Sequence, residues 1–417
     1  MKYVLIGAGA RGMIYANWAY RHGIEIAAVA ELRPDRLRQA GIRLDIPEGR
    51  QFRDARDLLS LGKIADAAII ATMDRDHYGH VMQALDCGYD ILLEKPISPD
   101  PGQCLQIEAK ANALGRKITV CHVLRYTNFF SGIKQILDYE ELGKIVSIKH
   151  SENIGNFHMA HSFVRGNWRN DALSSPIIMQ KSCHDLDILL WLTGSRCTKV
   201  AAFGSLSYFK EANAPAGSAE RCCDCPAAPQ CRYDAWKAYQ PILGQWPADA
   251  VCLDQTEEAL AEALRTGPYG RCVYRCDNNV CDHMSTILEF ENGVTATFTL
   301  TAQTSACYRS IHIMCEDGEI LADDAARRIT VRHFVSHPAQ SFEDRVLNVR
   351  TNGSGHGGGD AGIMEDFTAS LESGACDTRS SISRSVESHL IACAMEQARL
   401  TGTVVDMGQF RESVKGE

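Results

Sequence analysis

At 417 residues the chain has room for two or three domains of ordinary size and a large buried core. Its 45% apolar and 23% charged residues, with 33 Gly and 13 Pro, exclude a disordered or fibrous protein. A net charge of −9, from 43 basic and 52 acidic side chains, has the wrong sign for a surface that must neutralise nucleic-acid phosphates. Apolar stretches such as 67–72 fall far short of the roughly 20 residues that cross a bilayer, and the opening run Met1 to Ile6 is too short to be the core of a secretory signal. No nucleic acid and no membrane is therefore an expected partner, and the expected location is the cytoplasm. In such a reducing compartment the 17 cysteines, an odd number, read as buried small residues or metal ligands rather than disulfides.

Short apolar runs at Tyr3 to Ile6, Glu25 to Ala30, Ala67 to Ala71, Ile91 to Leu93 and Lys117 to His122 alternate with helix-length segments. Apolar strands separated by helices predict a parallel sheet covered on both faces, an α/β doubly wound (Rossmann) domain over about 1–122. Pro99 and Pro101 introduce its last helix, about Gln103 to Leu114. From Ile145 the pattern turns to alternation, at Val146 to His150, Thr286 to Phe290, Val294 to Leu300 and Ser310 to Met314. That predicts an α+β domain with a large, mostly antiparallel open sheet over 123–417. A helix at about Ile178 to Leu192 lies within it, and a stretch of about 210–279, rich in Cys, Pro and Gly, reads as an insertion.

Gly7-x-Gly9-x-x-Gly12 follows the first strand directly and opens a helix, which is the context a dinucleotide fingerprint requires. The first glycine permits the tight turn, the second the approach of a pyrophosphate, and the third close helix-strand packing. The helix N-terminus adds partial positive charge. Glu31, at the end of the second strand, is placed to accept both adenosine ribose hydroxyls, which favours NAD, although Arg33 and Arg36 nearby leave NADP open. The cofactor-binding set further includes Arg11, Thr72, His77, Glu94 and Lys95.

Glu94-Lys95-Pro96 sits directly after the run Ile91-Leu92-Leu93, at the carboxyl end of a parallel strand, where ligands of open α/β sheets bind. With these motifs the sequence resembles the Gfo/Idh/MocA family of NAD(P)-dependent sugar and cyclitol oxidoreductases over essentially its whole length, apart from the cysteine-rich insertion. The resemblance implies that Lys95 lies near the nicotinamide and the substrate hydroxyl, with Pro96 shaping the bend. It also implies a dimer or tetramer formed through the open face of the second sheet. The segment Lys181-Ser182-Cys183-His184-Asp185-Leu186-Asp187 is similar to a family helix reading Asp-x-Gly-x-His-x-x-Asp, with Gln180 where the first Asp is expected.

Residues three apart are helix neighbours, so Lys181, His184 and Asp187 are expected to form a fan centred on His184. Imidazole, titrating near pH 6.5, can take the hydroxyl proton that leaves when a carbinol is oxidised. Lys95 and His184 thus form the expected proton-transfer pair, with Lys181 and Asp187 as electrostatic and orienting partners. The expected activity is oxidation of a secondary hydroxyl, at C3, of a sugar, cyclitol or glycoside by hydride transfer to NAD.

The Lys-x-x-His helix is also similar to that of NAD-recycling glycosidases of the family. In those, transient oxidation at C3 is followed by elimination and re-reduction. A non-catalytic, nucleotide-bound sensor is the third reading, motivated by Gln180. For substrate contacts, mixed aromatic and polar groups single out His161, Arg165 and Trp168, with Arg125, Tyr126 and His356. Cys222-x-x-Cys225-x5-Cys231, with Cys272, supplies thiolates for a structural zinc; Cys223 or Cys276 could substitute, and an iron-sulfur cluster is chemically possible.

Overall fold

The computed structural model describes residues 1–140, 142–336, 344–350, 355–374 and 378–415. Strands β1 (Lys2–Ile6), β2 (Glu25–Ala30), β3 (Gln51–Phe52), β4 (Ala67–Ile70), β5 (Asp90–Leu93) and β6 (Ile118–Val120) form one parallel sheet in the order β3-β2-β1-β4-β5-β6. All four residues of β4 are buried, as are the last three of β5, because helices cover both faces. The order reverses between β1 and β4, so a crevice opens at their carboxyl ends, where Gly7 and Thr72 lie.

The second sheet has nine strands. These are β7 (Ile145–Asn153), β8 (Cys197–Ser205), β9 (His283–Phe290), β10 (Thr295–Thr301), β11 (Tyr308–Cys315), β12 (Gly318–Asp323), β13 (Arg328–His333), β14 (Asp344–Asn348) and β15 (Val405–Asp406). Their order is β14-β13-β12-β11-β7-β10-β9-β8-β15, antiparallel throughout except for the pair β7 and β10. Burial alternates along β9 and β10, because one face packs inward and the other is open. On that open face Phe203 and Ile287, from neighbouring strands, stay 71% and 59% exposed.

The helix Ile177–Thr193 lies on the inner face of the second sheet beside the helix Ile382–Thr401. The latter also packs on the helix Pro101–Ala113 of the first sheet, so residues near the end of the chain tie the two sheets together. One apolar core accordingly runs from Val4 and Ile70 to Ile148 and Ile313. Strands β8 and β9 are antiparallel neighbours with Ser205 opposite His283. Residues 206–282, the cysteine-rich insertion, therefore leave and re-enter at the tip of one hairpin.

Candidate active site

The glycine turn is built by exclusion. Gly7 has φ +92°, and a Cβ there would meet the Ala71 carbonyl oxygen at 2.5 Å; one on Gly12 would meet the Gly7 carbonyl oxygen at 2.0 Å. Gly9 caps the helix Ala10–Arg21 without a side-chain hydrogen bond, so that helix presents bare amides to the crevice, as a pyrophosphate requires. Glu31 closes the far end, accepting from the Ala8 amide at 2.8 Å and the Arg33 amide at 3.0 Å. A dinucleotide fits this cradle.

Arg11, expected at the cofactor, is held by the carboxylates around it. It donates to Glu94 at 2.7 Å and to both oxygens of Asp360 at 2.6 and 3.1 Å, and reaches Tyr15. Burial works to raise the Glu94 carboxyl, but Arg11 and Lys95 outweigh it and hold it below the usual carboxylate range. Glu94 also accepts from the Lys95 amide at 2.9 Å. His77 is likewise a brace. Its fully buried ring bridges the carbonyls of Pro96 and Thr72 at 2.7 and 3.2 Å, while the Thr72 hydroxyl meets His80 at 3.1 Å.

Lys95, beside the cis bond to Pro96, donates its Nζ to the Gln180 carbonyl at 2.8 Å. That contact joins the end of β5 to the 177–193 helix where it carries Lys181 and His184. His184 is nearly inaccessible, and its Nδ1 is buried with no partner. Burial first, and then the charge of Lys95, push its imidazole well below the ordinary value, so it is neutral at pH 7. The ring lies edge-on to His122 at 5.6 Å and 6.3 Å from His356. Gln180, in place of the expected Asp, leaves its side-chain Nε2 unpartnered.

The expected fan does not form. Each step of three residues slips back by about 60° around a helix, so Asp187 stands about 120° from Lys181. Lys181 pairs with Glu152 at 3.1 Å. Asp187 turns to Arg125 in a buried two-point pair at 2.6 and 2.7 Å, with the guanidinium over Trp191. Asp187 therefore orients Arg125 rather than His184, and Arg125 is not free for substrate. Burial opposes the Lys181 charge, but Glu152 more than compensates, and its ammonium is held above the ordinary lysine value. Asp185 takes Arg309 at 2.7 Å and His150 at 2.8 Å, and Arg309 returns to Glu152 at 2.5 Å.

Glu152, Arg309 and His150 escaped the sequence reading. The signal was present: Ile148, His150 and Glu152 occupy alternate, inward positions of β7, where a charged residue needs a partner.

The remaining substrate candidates divide. His356, at φ +50°, meets Asp360 at 3.2 Å and Arg11 at 3.3 Å within reach of His184. His161 stacks on Tyr269 of the insertion at 4.7 Å and meets the Tyr239 hydroxyl at 2.9 Å; burial pushes it down to about 4. Nearby His158 packs edge-on against Trp246 at 5.0 Å, and the charge of Lys181 adds to burial in keeping it neutral. Trp168 is half-buried against Phe163.

Tyr126 donates to Asp366 at 2.7 Å and belongs to the junction between the sheets. Arg165 is buried inside the insertion, bonded to the Arg271 and Tyr233 carbonyls, each at 2.7 Å. Both were expected at the substrate. Each carries a polar group that found a partner far along the chain.

Comparison with known proteins follows the same outline. An inositol 2-dehydrogenase of Pseudarthrobacter chlorophenolicus is 28% identical over 221 residues, 52% of this chain and 60% of that enzyme's length. A levoglucosan dehydrogenase solved with NADH and levoglucosan superimposes with a TM-score of 0.72 at 17% identity, covering 98% of this chain and 99% of that one. The UDP-N-acetylglucosamine 3-dehydrogenase GnnA of Acidithiobacillus ferrooxidans gives a TM-score of 0.65 at 16% identity over 95% and 97% of the two chains. At such identities the structural likeness speaks for the fold. The family model describing an NAD-binding Rossmann fold matches residues 1–122 and its C-terminal alpha/beta companion matches 134–407, so the chain belongs to the Gfo/Idh/MocA oxidoreductase family.

Proposed function

We propose that the protein oxidises a secondary hydroxyl, at C3, of a sugar, cyclitol or glycoside, with NAD in the glycine-lined crevice. The observation that carries this reading is the contact of Lys95 Nζ with the Gln180 carbonyl, which sets the end of β5 against the turn bearing Lys181 and His184. Gly7, Gly9, Gly12 and Glu31 would hold the dinucleotide, and the bound nicotinamide supplies the hydride acceptor. The other group implied by the sequence, a structural zinc, would be built from residues of the insertion and takes no part in this chemistry.

The charges support one division of roles among the protein's own residues. His184, kept neutral by burial, is the base that takes the hydroxyl proton. Lys181, kept cationic by Glu152, cannot be that base and instead donates to a substrate oxygen. Lys95 positions the reacting hydroxyl. His158, His161, His356 and Trp168 shape the sugar pocket, whose mixture of rings and polar tips suits a polyol. We further propose that copies associate through the open face around Phe203 and Ile287, which leaves apolar side chains in water otherwise.

The second reading, an NAD-recycling glycosidase, is favoured by the fixed cation at Lys181 three residues before His184, since elimination at C2 needs a donor beside the oxidised C3 oxygen. A panel of sugars, cyclitols and aryl glycosides, followed for both NADH absorbance and released phenol, tests the two. NADH accumulation that falls about 10²–10⁴-fold in His184→Ala supports the dehydrogenase. Aglycone without NADH overturns it in favour of the glycosidase. A protein that binds NAD by calorimetry yet turns over nothing in the panel would be the nucleotide-bound sensor.

A further inference from the structure

The insertion holds a second constellation. Its own apolar cluster is small, centred on Ala235, Tyr239, Ala248, Leu260 and Leu264, and its helices are mostly single turns. A segment of that kind usually needs a staple. The isolated bridge between Arg221 and Arg271 brings its two distant arms together, and the Cys272 amide donates to the Glu220 carbonyl at 2.8 Å. On the first arm the Cys225 amide turns back to the Cys222 carbonyl at 3.2 Å, and the Cys231 amide reaches the carbonyls of Ala227 and Ala228. This folding places Cys222, Cys225, Cys231 and Cys272 around one cavity of about 20 Å³, lined also by Arg165 and Tyr233. The four come from positions up to 50 residues apart, and none is in a disulfide.

Two further observations ask for an occupant. Arg165, only 2% exposed, bonds two carbonyls and approaches the Cys222 sulfur at 3.4 Å, yet no carboxylate among the described residues pairs with it. A buried cation without a counter-charge is strongly unfavourable. Tyr233 lines the same cavity, and its buried hydroxyl makes no hydrogen bond of ordinary geometry. The space matches a single water-sized body, which needs roughly 10–15 Å³, and is too small for a four-iron cluster. Tetrahedral all-sulfur sites are those of zinc or a single iron.

We propose that Cys222, Cys225, Cys231 and Cys272 bind one zinc ion in this cavity as a closed, structural site. Four thiolates on Zn²⁺ carry two net negative charges, one of which the Arg165 guanidinium offsets. Among the described residues no three such side chains yet converge closely enough to hold a metal. Binding therefore requires the four thiols to draw together around the cavity they line. With all four positions taken by protein, the ion activates no substrate. Its effect on the active site is indirect. Arg165 follows His161 in one π-helical segment, and His161 leans on Tyr239 and Tyr269 of the insertion, so the metal would fix the wall of the sugar pocket.

Elemental analysis of the full-length protein tests this. One zinc per chain as purified is expected, together with the charge-transfer and d–d bands of tetrahedral thiolate coordination after exchange into cobalt. Cys225→Ser and Cys231→Ser should lose the metal, whereas Cys223→Ser and Cys276→Ser should keep it. Metal-free protein that gives no such cobalt spectrum would overturn the proposal even if the serine variants fail to fold. Iron in place of zinc, or loss of metal from Cys276→Ser, would equally overturn the stated ion or ligand set.

Discussion

The cofactor crevice and the helix that faces it hold their functional groups by opposite means. In the crevice the working parts are backbone amides, and the structure keeps them clear by having no side chain at Gly7 and Gly12. On the 177–193 helix the working parts are side chains, fixed by ion pairs sunk in the core: Asp187 with Arg125, Asp185 with Arg309, Lys181 with Glu152. The difference teaches where each half is fragile. The crevice fails through crowding, locally; the helix fails through unpaired charge, and the damage spreads to the fold.

The largest effect should come from separating one of those pairs. Asp187→Ala strands the Arg125 guanidinium and should lower unfolding free energy by about 3–5 kcal/mol in urea titrations. The double variant Asp187→Leu with Arg125→Met should recover most of that loss. A double variant no more stable than the single would mean that the pair matters for something other than its charge.

Acid attacks the same half of the molecule. Burial pushes His122 down to about 4, His161 down to about 4 and His389 down to about 3, so the folded protein declines protons that the unfolded chain takes near pH 6.5. The stabilisation is complete above that pH and is lost as the pH falls from 6.5 toward 4. Roughly 3 kcal/mol is at stake for His122 alone. Urea midpoints measured across that range should fall steeply and should fall less in His122→Gln; a flat profile would show that these rings take up protons in the folded protein as readily as in the unfolded chain.

A crowding lesion in the crevice should behave differently. Gly12→Ala puts a methyl group against the Gly7 carbonyl, and about a 100-fold loss of NAD affinity by calorimetry is expected, with a smaller change in urea stability. Loss of both together would erase the contrast between the two halves. The smallest effect on stability, within about 0.5 kcal/mol, is expected for Phe203→Glu on the open face. Light scattering should nevertheless show that variant shifted toward the monomer.

The same contrast governs what could be read without coordinates. Strand β2 is read to the residue and the crevice strands to within a residue or two, because apolar runs and glycines act through local geometry. Lys95 does reach the 177–193 helix, where its ammonium meets the Gln180 carbonyl and its charge acts on His184. Arg11, Arg125, Tyr126 and Arg165 are each held by a partner that the sequence reading did not foresee, across a long loop: Asp360, Asp187, Asp366 and the Tyr233 carbonyl. Pairings of that range leave no period in the chain. Glu152 is the instructive exception, since its inward register on β7 marks a buried charge even when the identity of its partner, Arg309, is hidden.

Ser205 and His283 face each other across one ladder, so the chain departs for the insertion and returns from it at a single doorstep. A module hung in this way leaves the pairing of the sheet untouched, even though Phe209, Tyr233 and Tyr274 share the main core. Its length can drift with no rung of the ladder out of step.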